Sequence, residues 1–237
     1  MSSSDKKQIS TKAATSKDVS AFLQKLATLP AVNAGSGNGR LIFALDATAS
    51  RERSWDQATQ LQAEMFSSTQ SIGKLQVQLC YFRGFMEFFH SQWCIDSSGL
   101  LRQMTGIRCQ AGITQIERVL RHALEETRRS PVHALVYIGD AMEENVDVLC
   151  QLAGQLGLYN VPVFIFQEGS DPAAEQAFKE MARLSKGAWS HFDSASVSQL
   201  KDLLRAVAIY ATGGLKALQQ FSNSSHPAVK LLGQQLK

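Results

Sequence analysis

Residues 40–50 read Arg-Leu-Ile-Phe-Ala-Leu-Asp-Ala-Thr-Ala-Ser (RLIFALDATAS). The apolar run 41–45 is too short for a helix and predicts a buried strand. It ends on Asp46, and hydroxyls follow at Thr48 and Ser50. If the chain beyond the strand stays extended, residues 46, 48 and 50 point one way. A strand that ends in a carboxylate and two hydroxyls offers a binding edge, so its place among the other strands decides how the remainder is read.

Working outward, strand and helix patterns alternate. A polar helix-like stretch covers about residues 55–66. Leu75, Val77, Leu79 and Tyr81 alternate with Gln76, Gln78 and Cys80, the pattern of a half-buried strand. Only a few residues around Arg83-Gly84 separate it from the apolar stretch 85–93. A parallel crossover needs a dozen residues or more, so these two strands should form an antiparallel hairpin. A short helix near 98–104 and a loop over 105–113 come next. Helices are then expected around Ile116–Ala123, Val146–Leu156, Ala174–Leu184 and Leu200–Ala211, with strands at 132–138, 161–166 and 188–192. Pro162 sits at the start of its strand, where a missing donor is tolerated. This order predicts an α/β fold: a doubly wound, mostly parallel six-stranded sheet with one antiparallel edge strand, Rossmann-like, with helices on both faces.

In such sheets ligands sit outside the carboxyl ends of strands where the winding reverses. After the fourth strand the chain reads Gly139-Asp140-Ala-Met-Glu143-Glu144, and between the two regions Gly112-Ile113-Thr114 opens a charged helix. If the first and fourth strands flank the switch point, Asp46 and Asp140 face one crevice. Two carboxylates and three hydroxyls are hard oxygen donors, suited to Mg²⁺ or Mn²⁺ and not to zinc or copper.

The sequence here resembles a von Willebrand factor A-type (VWA) domain with its metal-ion-dependent adhesion site (MIDAS). That family carries D-x-S-x-S after the first strand, a Thr in a later loop and an Asp after the fourth strand. The matching positions are Asp46, Thr48, Ser50, Thr114 and Asp140, and the resemblance spans about residues 40–212. Thr48 stands where the family usually has Ser; the hydroxyl survives, on a side chain stiffer at χ1. The acidic pair Glu143-Glu144 is a second departure. The resemblance implies direct ligation by the Ser50, Thr48 and Thr114 hydroxyls, with Asp46 and Asp140 binding the ion directly or through water. It also implies an open position for an Asp or Glu of a protein partner. Intracellular members often serve as assembly or regulatory subunits, for instance beside ATPases or chaperone-like machinery.

Each element has a plainer reading as well. Asp after a strand is a common turn residue. Thr114 with Glu117 forms T-x-x-E, a capping box that needs no metal. Thr105 competes with Thr114 for the loop role. Glu143 and Glu144 read either as solvated first-turn acids or as a self-ligand that closes the metal position. The five histidines show no H-E-x-x-H or paired spacing; they read as structural or solvent-facing, and His122 is expected on the exposed side of a charged helix. In that helix Arg118, Arg121, Arg128 and Arg129 alternate with Glu117, Glu125 and Glu126, a salt-laced face and not a nucleic-acid stripe. The glycines at 35–39 precede a strand and lack the Lys-Ser/Thr of a phosphate loop, so they read as a linker.

Composition sets the outer limits. The chain has 237 residues, 44% hydrophobic and 19% charged, enough for a sizeable core and too apolar for disorder. No apolar run approaches the roughly 20 residues of a membrane helix. The formal charge of +3 is too small to argue for nucleic acid, and it is concentrated early: residues 1–40 hold six Lys/Arg and two acids. Residues 1–39 are expected to be a basic leader in which Val19, Phe22, Leu23, Leu26 and Leu29 mark a short amphipathic helix, followed by a Gly/Ser linker. Residues 40–212 form the VWA-like domain and 213–237 a tail. Cys80, Cys94, Cys109 and Cys150 show no C-x-x-C and read as free thiols of a reducing, cytoplasmic compartment.

The leading expectation is a non-enzymatic, metal-dependent protein-interaction domain. Two alternatives stand beside it. One is a metal-dependent phosphohydrolase with Asp46 as nucleophile; such enzymes need D-x-D, and the second carboxylate is replaced here by Thr48. The other is a scaffold with a vestigial metal site, whose leader would carry the binding.

Overall fold

A computed structural model describes Lys25 and residues 38–52, 74–95, 102–192 and 202–213. Of the expected leader helix only Lys25 falls within these residues; the helix over 55–66 and the tail beyond 213 lie outside them.

Six strands form one sheet: β1 (Asn38–Asp46), β2 (Lys74–Arg83), β3 (Glu87–His90), β4 (Ala134–Gly139), β5 (Val163–Glu168) and β6 (Ala188–Phe192). Their spatial order is β3-β2-β1-β4-β5-β6. All neighbours pair parallel except β2 and β3, an antiparallel hairpin. The winding goes outward from β1 to β3, then reverses through β4. The carboxyl ends of β1 and β4 therefore flank the switch point, the place where such sheets bind ligands.

Helices α1 (Ile116–Arg129), α2 (Val146–Leu158) and α3 (Pro172–Leu184) cover one face of the sheet, and α4 (residues 202–213) covers the other. The period-2 pleat divides β1 between the two cores. Leu41, Phe43 and Leu45 pack with Leu203, Leu204 and Val207 of α4, while Ile42 and Ala44 pack with Val119, Ala123 and Phe178. Burial on both faces is why β1, β4 and β5 read as unbroken apolar runs. Asn145 and Asp171 cap α2 and α3, each side chain accepting two backbone N–H groups of the first turn.

Three expectations need correction. β2 is not half-buried. Gln78 and Cys80, read as its outer face, are buried because α1 covers them. The Gln78 amide is satisfied there: its nitrogen donates to the Ser91 carbonyl at 3.1 Å and its oxygen meets His122 Nε2 at 2.8 Å. His122 is therefore buried, not exposed, and stacks on His90 with ring centroids 4.3 Å apart. Finally, β1 begins at Asn38, so the end of the supposed linker is sheet. A Cβ on Gly39 would lie 2.4 Å from the Ala211 carbonyl oxygen of α4, so the glycine is there to allow that approach.

Candidate cation site at the switch point

Asp46 is the last residue of β1 and is fully buried. Its Oδ1 accepts the Thr48 N–H at 2.7 Å. The chain then tightens into a 3₁₀ turn at Ala49–Arg51 in place of an extended loop. The turn still keeps the hydroxyls of Thr48 and Ser50 together, 3.1 Å apart. Arg51 closes the segment: it is fully buried and pairs with Glu168 at the end of β5.

Across the switch point, Leu45 lies opposite Ile138, so Asp46 comes level with Gly139 and next to Asp140. Burial lifts the Asp46 carboxyl to about 6, the negative charge of Asp140 adds to the lift, and the Thr48 hydrogen bonds oppose it. Among the described residues, the buried Oδ2 of Asp46 and Oδ1 of Asp140 have no hydrogen-bond partner. Buried carboxylate oxygens left unpaired are costly, and a cation is the natural remedy.

Thr114 reaches this end of the sheet by another route. Its N–H donates to Glu143 Oε2 at 2.9 Å, its hydroxyl donates to Glu144 Oε2, and the same hydroxyl oxygen accepts the Glu143 N–H at 3.0 Å. Glu144 Oε1 accepts the N–H groups of Ile116 and Glu117. The capping-box reading of Thr114 fails: Gln115 is the cap residue and makes no side-chain cap bond, and the N-terminus of α1 is capped from the loop after β4. Nor are Glu143 and Glu144 first-turn acids of α2, which starts at Val146. Both oxygens of Glu144 are engaged, and the Thr114 hydroxyl, with one donor and one acceptor bond made, keeps one lone pair. The rival Thr105 is exposed and donates back to the Arg102 carbonyl at 3.1 Å.

The residues fit a hard divalent cation. They offer two buried carboxylate oxygens, the Thr48–Ser50 hydroxyl pair and the remaining lone pair of Thr114. Among the described residues no group of three or more His, Cys, Asp or Glu side chains is placed to hold a metal ion, so the set is less charged than an all-carboxylate cage. Sequence reasoning missed Arg51, Tyr137 and the bonding of Glu143 and Glu144. Tyr137 lies in β4 with its hydroxyl buried near Asp46, Asp140 and Glu144. The Arg51–Glu168 pair spans 117 positions and Thr114–Glu144 spans 30, distances at which no local pattern carries a signal.

No protein-family model matches the sequence, and no curated protein sequence matches it. Solved structures do match. They include the SpRpn10 VWA domain (13% identical, 70% of this chain and 93% of that one, TM-score 0.57) and an aerotolerance-related membrane protein from Bacteroides fragilis NCTC 9343 (18%, 68% and 95%, 0.54). Proximal thread matrix protein 1 from the mussel byssus, with a zinc-occupied MIDAS motif, also matches (13%, 75% and 46%, 0.56). At these identities the likeness is one of fold: the chain carries the VWA-type, Rossmann-like architecture.

Proposed function

We propose that this chain is a metal-dependent protein-interaction domain, without catalytic activity, that binds a partner's Asp or Glu through a divalent cation held at the switch point. The observation that carries the reading is a pair of buried oxygens without a partner among the described residues, Asp46 Oδ2 and Asp140 Oδ1, at the carboxyl ends of β1 and β4. Asp46, Thr48, Ser50, Thr114 and Asp140 would hold the ion, and Mg²⁺ or Mn²⁺ suits these all-oxygen donors. When bound, such an ion supplies an open coordination position to an incoming carboxylate. Asp46 and Asp140 balance its charge, the Asp46–Thr48 bond fixes the first loop, and the Glu143–Glu144 clasp fixes Thr114.

Support for a binding role comes from the company the fold keeps, which includes a pilus adhesin and a COPII-coat protein. A neighbour with a zinc-occupied MIDAS supports a divalent cation. Among the described residues no helix is long and apolar enough to cross a membrane. We infer a cytoplasmic assembly or regulatory subunit, for instance beside an ATPase or chaperone-like complex, with residues 40–212 as the functional domain. The test is calorimetric titration of Mg²⁺ and Mn²⁺ into the full chain and into Asp140→Ala. It is paired with partner capture in Mg²⁺ and in EDTA. Binding of one ion that Asp140→Ala abolishes is expected; an ion-free wild type, or capture that persists in EDTA, overturns the reading.

A further inference from the structure

Tyr137 is a polar side chain where the surroundings ask for none. It sits in β4 between Val136 and Ile138 and is 1% exposed. Its ring stacks on Phe82 with centroids 6.3 Å apart and meets the edge of Phe178 at 5.7 Å. A phenylalanine would fill this space equally well. Among the described residues the Tyr137 hydroxyl has no hydrogen-bond partner, which costs a buried polar group free energy unless something outside the chain supplies one.

The hydroxyl is also aimed. Tyr137 pairs in register with Ala44, so Asp46, two residues on, shares its face of the sheet. The ring runs along β4 beneath Gly139: a Cβ there would lie 2.3 Å from the hydroxyl, so the residue before Asp140 has to be glycine for the tyrosine to lie this way. Three buried oxygens without a hydrogen-bond partner among the described residues therefore lie near the carboxyl ends of β1 and β4: Asp46 Oδ2, Asp140 Oδ1 and Tyr137 Oη. The first two are acceptors that suit a cation. The third stays protonated, because burial and the negative charges of Asp46, Glu144 and Asp140 push its ionisation far from neutrality. It is a donor, so the group that satisfies it must be an acceptor.

We propose that the Tyr137 hydroxyl donates a hydrogen bond to a water carried by the divalent cation between Asp46 and Asp140, which makes Tyr137 a positioning residue of the metal site. This rests on the proposed cation-binding function. The phenol would hold the water and the two carboxylates in one arrangement, as outer hydrogen-bonding groups do in metal sites.

The experiment compares the full-length wild type with Tyr137→Phe. Mg²⁺ and Mn²⁺ are titrated by calorimetry, and thermal melts are recorded in EDTA and in saturating Mg²⁺. Tyr137→Phe is expected to bind either ion about tenfold more weakly, yet to melt in EDTA at or above the wild-type temperature, since it loses an unsatisfied hydroxyl. Unchanged affinity in Tyr137→Phe, with wild-type binding intact, overturns this inference alone. A lower melting temperature in EDTA also overturns it, because the hydroxyl then has a partner within the chain. A wild type that binds neither ion overturns the cation-binding function and this inference together.

Discussion

The Thr114 hydroxyl donates to the carboxylate of Glu144, and that same carboxylate accepts the first N–H groups of α1. One side chain thus fixes a candidate ligand and the start of the helix that follows it. The N-terminus of α1 lacks a side-chain cap of its own, so Glu144 supplies both hydrogen bonds and a negative charge against the helix dipole.

Replacement of Glu144 by Ala is accordingly expected to cost roughly 1–2 kcal/mol, the size of a lost cap. Glu143→Ala is expected to cost less, because Glu143 is exposed and, among the described residues, its side chain accepts only the Thr114 N–H. Urea denaturation of both variants checks the order; equal losses would show that Glu144 does not cap α1.

Asp46 opposes stability in the absence of an ion. Its carboxyl is lifted from 3.8 to about 6, chiefly by burial. The folded state holds the proton more tightly than the unfolded one, so Asp46 contributes most at acidic pH. Above pH 6 its ionisation costs about 3 kcal/mol of differential interaction. Asp46→Asn keeps an oxygen to accept the Thr48 N–H and removes the charge. In EDTA at neutral pH this variant is expected to be more stable than wild type by up to that amount, and to lose Mg²⁺ binding. A variant less stable in EDTA would mean that the buried carboxylate is already compensated within the chain.

His122 gives a pH dependence of the opposite sign. Burial, with the charge of neighbouring His90, lowers it from 6.5 to about 4, while Glu126 and Glu125 oppose the shift and Arg129 adds to it. Between these values the unfolded chain takes up a proton that the folded one refuses. Stability is therefore full above about pH 6.5 and falls as pH drops towards 4, by on the order of 2 kcal/mol after allowance for solvent screening. Comparing unfolding of wild type and His122→Asn at pH 7.5 and 4.5 isolates the effect; the variant should lose this part of the acid sensitivity.

How far the fold could be read depended on whether each signal was local. The apolar runs of β1, β4 and β5 are legible because parallel strands buried on both faces tolerate little else. The hairpin is legible from the few residues around Gly84, which takes φ +57 in its turn. The sequence misplaces His122 because Arg121 and Glu125 surround it, whereas at helical spacing it shares its face with Val119 and Glu126, both buried. Gln78 misled for a related reason: alternation marks a strand but does not say whether a helix covers its second face. Asp46, Thr48 and Ser50 lie within five residues and could be grouped. The bonds of Arg51 to Glu168 and of Thr114 to Glu144 depend on the completed sheet, and the local T-x-x-E pattern pointed to a cap that does not form.

The start of the domain can be tested at two glycines of opposite character. By sequence Gly39 reads as linker, and a linker glycine tolerates alanine. In the structure its missing Cβ faces backbone: the Ala211 oxygen at 2.4 Å and the Thr212 Cα at 2.8 Å. Neither can swing aside as a flexible side chain would, so Gly39→Ala must push β1 from α4 and is expected to cost about 1–3 kcal/mol. Gly154, in the middle of α2, has nothing among the described residues within 4 Å of its missing Cβ. There alanine only removes the entropic penalty of glycine in a helix, so Gly154→Ala should stabilise by about 0.5–1 kcal/mol. Urea midpoints moving in opposite directions are the expected result; a neutral Gly39→Ala would show that the end of the helix over residues 202–213 does not pack on β1.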